Sequence, residues 1–272
     1  MSSKENDIDI DTGATEKKTQ PSPLSNIIFF IILTLLYGIL MIGYLYSNNS
    51  IETIKQNSNN KIFLLIYIAF LLTGNYFLNL KTVKTKCTET ELTSLYSQIL
   101  LITIAPWILI FVILYFLLEL FSGWIKPFSN TLGYLVVSIL GVKNVITKLL
   151  NNKQKNIDNQ PLDLKLVFKY IDNHIEKFIN EFTTDLVDYG EFIRQLTNDG
   201  IFITGADDME NNQDIIELYK LLTIKNIVGR VVWYILAGLL ICSITFNYII
   251  NIKCGTSIAI NSQKINDLYN NQ

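Results

Sequence analysis

Side chains with reactive chemistry are few in this chain and far apart. The single histidine, His174, has no cysteine or histidine at metal-ligand spacing, so no zinc site is expected. The acidic run Asp207-Asp-Met-Glu210 lacks the glycine and closing glutamate of a calcium loop. It suits a solvated loop leading into a helix, whose positive end favours nearby carboxylates. There is no glycine-rich phosphate loop, no G-x-S-x-G elbow and no H-E-x-x-H pair, and one histidine cannot serve a serine triad. No catalytic residue, metal ligand or cofactor is expected, and the chain does not read as an enzyme.

The remaining candidates carry structural chemistry. Glu119 and Arg230 are charges at the edges of apolar runs, where charged groups usually find partners; an ion pair between them would lock two helices. The alternative is that each reaches independently to lipid headgroups. Asn75 and Asn247 lie inside apolar runs, and hydrogen bonds between helices from such residues contribute on the order of 1 kcal/mol. Pro106, followed by Trp107, removes one helical hydrogen bond and predicts a kinked turn facing neighbouring helices. Cys87 and Cys254 fall on one expected side of the membrane, so a disulfide between them is allowed by topology. Unpaired thiols are the default expectation for both and for Cys242.

What positions these residues is a set of four uncharged runs: Ile27 to Tyr46, Ile62 to Leu80, Ile99 to Leu118 and Val231 to Ile252. A helix rises about 1.5 Å per residue and the hydrocarbon core is about 30 Å thick, so roughly 20 apolar residues cross it. Half of the 272 residues are hydrophobic and they are gathered into these blocks, which predicts an all-α membrane protein with several spans. Tyrosines and tryptophans at the run ends, such as Tyr44, Tyr46 and Trp233, suit the headgroup level. A net charge of −2 and the absence of a polybasic cluster argue against nucleic acid as a partner.

Six regions follow. Residues 1–23 read as a disordered polar tail, 24–121 as three transmembrane helices, and 122–150 as a turn plus an interfacial or re-entrant helix. Residues 151–227 form a helical hairpin outside the membrane, 228–252 the fourth transmembrane helix, and 253–272 a short polar tail. The helix after the turn has only 11 unbroken apolar residues, Leu132 to Val142, which favours an interfacial or re-entrant course over a fifth span. In the hairpin, apolar residues recur at 164, 168, 171, 175, 178 and 182, then at 186, 189, 193 and 196 past a stutter. That is a heptad seam and predicts one long coiled-coil helix over 164–196, broken at Gly190. Lysines near the span ends are slightly more numerous on the side of the two termini, which places the termini in the cytoplasm.

The run Ala105-Pro-Trp107, then Gly123-Trp124, Pro127-Phe-Ser-Asn-Thr131 and Gly133-Tyr-Leu135, resembles a membrane-protein family of large nucleocytoplasmic DNA viruses, the algal and giant viruses. A second patch of resemblance is Val232-Trp-Tyr234, Gly238-Leu239, Asn247-Tyr248 and Cys254, and together the two cover about a third of the chain. The resemblance implies a component of the virion inner membrane, derived from host endoplasmic reticulum. The expected function is that of a non-enzymatic structural membrane protein linking the bilayer to capsid or scaffold proteins, or to itself, through the hairpin. Two alternatives stand beside it. One is a small channel or transporter whose Asn75, Asn247, Pro106 and 131–142 segment line a passage, and the other is a cellular membrane adaptor.

Overall fold

The computed structural model describes residues 23–58, 61–87, 89–151 and 162–254. Residues 1–22 and 255–272 of the expected tails, and most of the linker after residue 151, lie outside these residues. Among the described residues every regular element is a helix, and a single isolated bridge joins Leu150 to Phe202.

Four helices are long and apolar enough to cross a bilayer: α1 (Leu24–Tyr46), α3 (Lys61–Lys84), α4 (Glu89–Leu120) and α11 (Gln213–Ile250). α3 packs between α1 and α4, and α11 closes the ring against both. Large apolar side chains such as Leu40, Leu65, Phe70, Leu101 and Leu109 point away from the bundle. In water such a surface would be costly; in lipid it costs nothing, because the surrounding tails are equally apolar. α4 remains one helix through Pro106, and the buried Thr103 and Trp107 of that turn face neighbouring helices. α1 has no side-chain cap at its start, while its last carbonyls are met by Ser47 and Asn48, whose side chains both donate to Tyr44 O. A short helix, α2 (Ile51–Ser58), connects α1 to α3.

After α4 a 3-10 turn (Ser122–Trp124) leads into α5 (Lys126–Phe128), a π-helical turn (Ser129–Gly133) and α6 (Tyr134–Ile139). The chain then bends by 82° into α7 (Val142–Leu149), through Gly141 at φ +93°. A glycine is needed there because L side chains clash in the left-handed region. The π turn lies directly on α11: a Cβ on Gly133 would collide with the Lys225 carbonyl, and one on Gly229 would come within 2.9 Å of Ser129 N. Leu132, Leu135 and Ile139 face outward from this bent pair.

The expected coiled-coil helix is corrected by the structure. The 164–196 segment is three short helices, α8 (Leu162–Asn173), α9 (Ile175–Glu181) and α10 (Leu186–Asn198), and Gly190 sits inside α10 instead of breaking it. The first break is His174, with a non-helical backbone at φ −133°, ψ 42°. The second is the turn after Phe182, where Asp185 accepts from Val187 N and Asp188 N to start α10. The seam residues Phe168, Ile171, Phe182, Tyr189, Ile193 and Leu196 are buried in this chain's own core. The 3-4 spacing therefore marks one apolar face repeated along three helices that share a core with the first half of α11. Ile201 O accepts from Asn151 N and Ile203 N donates to Leu149 O, which ties the following loop to the end of α7. Helices α7 to α10 with the start of α11 form a cap over one end of the bundle.

Candidate functional site

Several polar groups inside the bundle are spent on one another. Asn26 Nδ2 donates to Asn79 Oδ1 at 2.6 Å, Asn79 Nδ2 to Thr103 Oγ1 at 2.9 Å, and Thr103 Oγ1 to Ile99 O of its own helix. This relay joins α1, α3 and α4. A second link, Thr34 to Tyr67 at 2.8 Å, joins α1 to α3. The expected interhelical bonds from Asn75 and Asn247 are not formed among the described residues. Asn75 is buried and donates to Leu71 O one turn back, and Asn247 is exposed and bonded to Asn251. Asn26 and Asn79 escaped the sequence reading because they sit at the edges of apolar runs, where an asparagine passes for a boundary residue.

At the end far from the cap, Cys87 and Cys254 form a disulfide with Cα atoms 5.5 Å apart. This overturns the default expectation of free thiols at these two positions. Val83, Leu92 and Ile249 pack into a small core around the bond, and Lys86 Nζ donates to Ile250 O at 2.6 Å. Helices α3 and α11 already converge here, so the sulfurs meet without a detour. Cys242 is a buried free thiol.

The richest chemistry lies where the cap meets the bundle. Arg230 and Glu119 form an ion pair at 2.5 Å that joins α11 to α4. Trp233 Nε1 donates to Trp124 O at 2.6 Å, and Phe128, next to Pro127, meets the Trp233 ring edge-on. The polar turn residues after α4 are thereby anchored on α11. One helical turn above Arg230, the buried Lys225 ammonium donates to Asn130 Oδ1 at 3.0 Å and Asn180 Oδ1 at 2.8 Å, bridging the π turn and α9. Thr184 is a second hub: its carbonyl accepts from Lys55 Nζ and Tyr219 Oη, and its hydroxyl accepts from Asn226 Nδ2.

Beneath these contacts is a cavity of about 290 Å³, lined by Lys55, Lys61, Glu119, Thr184, Asn226 and Arg230 over a floor that includes Tyr37, Tyr115 and Tyr234. Three cationic groups face one carboxylate, and that carboxylate is already paired, so the cavity favours an anion. Among the described residues no group of three His, Cys, Asp or Glu gathers as a metal site. Glu119, Arg230, Trp124 and Pro127 are brought to this junction; Pro106 and Trp107 lie in mid-bundle, and Cys87 and Cys254 at the opposite end. Sequence reading missed Lys55, Lys61, Thr184, Lys225 and Asn226. Their one signal was spacing, since Lys225 and Asn226 precede Arg230 by five and four residues on one helix. No family model, no curated protein and no solved structure matches this chain, so its site is described by its own geometry.

Proposed function

We propose that this chain is a non-enzymatic architectural protein, embedded in a membrane by α1, α3, α4 and α11, whose cap couples the bilayer to another protein. One observation carries the reading: α11 runs unbroken for 38 residues from the core of the cap to the far end of the bundle. A load on the cap is therefore passed to the spans through a continuous helix instead of a hinge. The pairing of Asn26, Asn79 and Thr103 with one another supports a packing role for the polar groups in the bundle over a conduction path. The surface offered to a partner is the outer ridge of α8, where Leu162, Leu166 and Tyr170 are exposed at helical spacing. In keeping with the resemblance described above, the membrane proposed is a viral inner membrane and the partner a capsid or scaffold protein.

The disulfide bears on orientation. Disulfides persist in oxidising compartments, so the end with Cys87 and Cys254 is assigned to the lumenal side and the cap to the cytosol, the reverse of the orientation expected from the lysines. Protease added to sealed vesicles with their cytosolic face outward is expected to cut the cap; protection of the cap would overturn the orientation.

The functional reading is tested in purified particles. The chain is expected there in the membrane fraction, crosslinked to a shell or scaffold protein. Leu162→Ser, Leu166→Ser and Tyr170→Ser together are expected to leave insertion and thermal stability unchanged while abolishing that crosslink. Absence from particles, or an unaltered crosslink in the triple variant, would defeat the reading.

A further inference from the structure

The junction cavity does not end at its polar walls. Lys61, Leu64 and Tyr115 also line an apolar groove of about 230 Å³ between α3 and α4, which Ile68, Phe111 and Val112 extend. Those last three in turn line a smaller recess of about 60 Å³, closed at its end by Leu71, Leu72 and Trp107. The three spaces share wall residues one to the next, with charge at the mouth and hydrocarbon beyond it. From Lys61 to Leu72 the helix climbs about 16 Å at 1.5 Å per residue. That is about half of a hydrocarbon core of roughly 30 Å, the depth of one leaflet.

The mouth carries more positive charge than its walls consume. Arg230 is held by Glu119. Lys55 donates one hydrogen bond, to Thr184 O, and an ammonium has three to give. Lys61 is exposed, its Nζ standing 5.5 Å from the centre of the Tyr115 ring. A second groove, of about 240 Å³ between α1 and α3, is lined by Leu36, Leu40 and Phe70 with no charged residue on its walls. It offers ordinary lipid contact and serves as an internal control.

We infer that the cavity and the α3–α4 groove together bind one anionic glycerophospholipid, its phosphate between Lys55 and Lys61 and one acyl chain lying along the groove toward Trp107. Charge complementarity selects the head, and the leaflet-deep apolar path selects an attached chain. A zwitterionic lipid would bring its own cation against the two lysines and lose that selection. A free phosphate would use the mouth and leave the groove idle. The inference is independent of the coupling role proposed above.

The test uses the full-length chain in neutral detergent, offered equal amounts of phosphatidylglycerol and phosphatidylcholine and read by native mass spectrometry. One phosphatidylglycerol is expected to stay bound, preferred by about thirtyfold, from about 1 kcal/mol for each of the two lysines. Lys61→Gln with Lys55→Gln is expected to erase the preference. Lys61→Gln alone, at an exposed position, is expected to reduce it without touching the fold. Val112→Trp fills the groove from an exposed wall position and is expected to lower retention, whereas Leu36→Trp in the control groove is expected to leave it unchanged. Glycerol 3-phosphate offered alone is expected to bind no better to the wild type than to Lys61→Gln. Equal retention of the two lipids, indifference to the lysine substitutions, or lysine-dependent binding of glycerol 3-phosphate that Val112→Trp does not affect would each overturn the inference.

Discussion

The cap and the bundle bury polar groups by different rules. In the cap, two helices start on side-chain caps, Asp185 opening α10 and Asn212 opening α11, each accepting two backbone N–H bonds, while α7 and α9 begin without one. Its buried tyrosines reach across to other elements, as Tyr189 does in donating to Ile215 O at 3.0 Å. Burial pushes the Tyr189 phenol well above its ordinary pKa, so it stays a donor. In the bundle, α1 begins without a side-chain cap, and the hydroxyls of Thr34, Thr73 and Thr103 fold back onto the carbonyl one turn earlier, as those of Thr147 and Thr197 also do in the cap. Water rewards local signals that start and stop helices, whereas lipid makes every backbone group pair within its own helix and leaves length and apolarity to define the element. Between the two lies the junction, where the Lys225 ammonium is buried and bonded and the Arg230–Glu119 pair stays partly open.

Truncating one phenylalanine in each region separates the two rules most sharply. Phe202→Ala, in the packed core of the cap, is expected to cost about 3–5 kcal/mol, whereas Phe70→Ala on the outer face of α3 is expected to cost under about 1 kcal/mol because lipid fills the gap. Unfolding titrations in mixed micelles measure both. Equal losses would mean that the bundle's outer face is packed against protein. At the junction, Asn180→Ala takes one of two acceptors from the buried Lys225 ammonium and is expected to cost about 2 kcal/mol by the same titration. Next come Asp185→Ala, expected to remove about 1 kcal/mol of cap stability, and Asn79→Leu, expected to remove about 1 kcal/mol or less from the bundle.

Acid gives the smallest effect. The Asn211 amide, helped by backbone N–H groups, holds the Asp208 carboxyl below the usual range. A depressed carboxyl contributes order above its unfolded pKa and loses it as pH falls through the folded value. The Asn211 side-chain amide resonances are therefore expected to be constant near neutrality and to shift only below the ordinary carboxylate range. A transition at or above that range would mean the turn does not hold the charge.

Much of the fold was legible because its signals are long. Four apolar runs each predicted a helix, and the structure places helices over all four, with α11 extended into the cap by the amphipathic stretch before Arg230. The heptad spacing was read as the seam of one long coiled-coil helix, whereas the structure buries that face in the chain's own core along three helices, since periodicity records which side is apolar but not what covers it or whether the axis turns at His174 or at Thr183. The ion pair of Glu119 with Arg230 was visible as two charges expected at one depth. The partners of Lys225 were not, because Asn130 and Asn180 lie 95 and 45 residues away in sequence and carry no charge to announce them. The cysteines were ambiguous for a similar reason: a separation of 167 residues says nothing of proximity until the helices between them are counted and placed.

The disulfide also changes what happens when the cap is pulled. Cys87 precedes α4 and Cys254 follows α11, so the two helices that lead into and out of the cap are buckled together at their remote ends. Traction on the cap cannot draw out α11 by itself, since the strain passes to a covalent clasp at the opposite end of the bundle. A pull on the cap would move α4 and α11 as a pair.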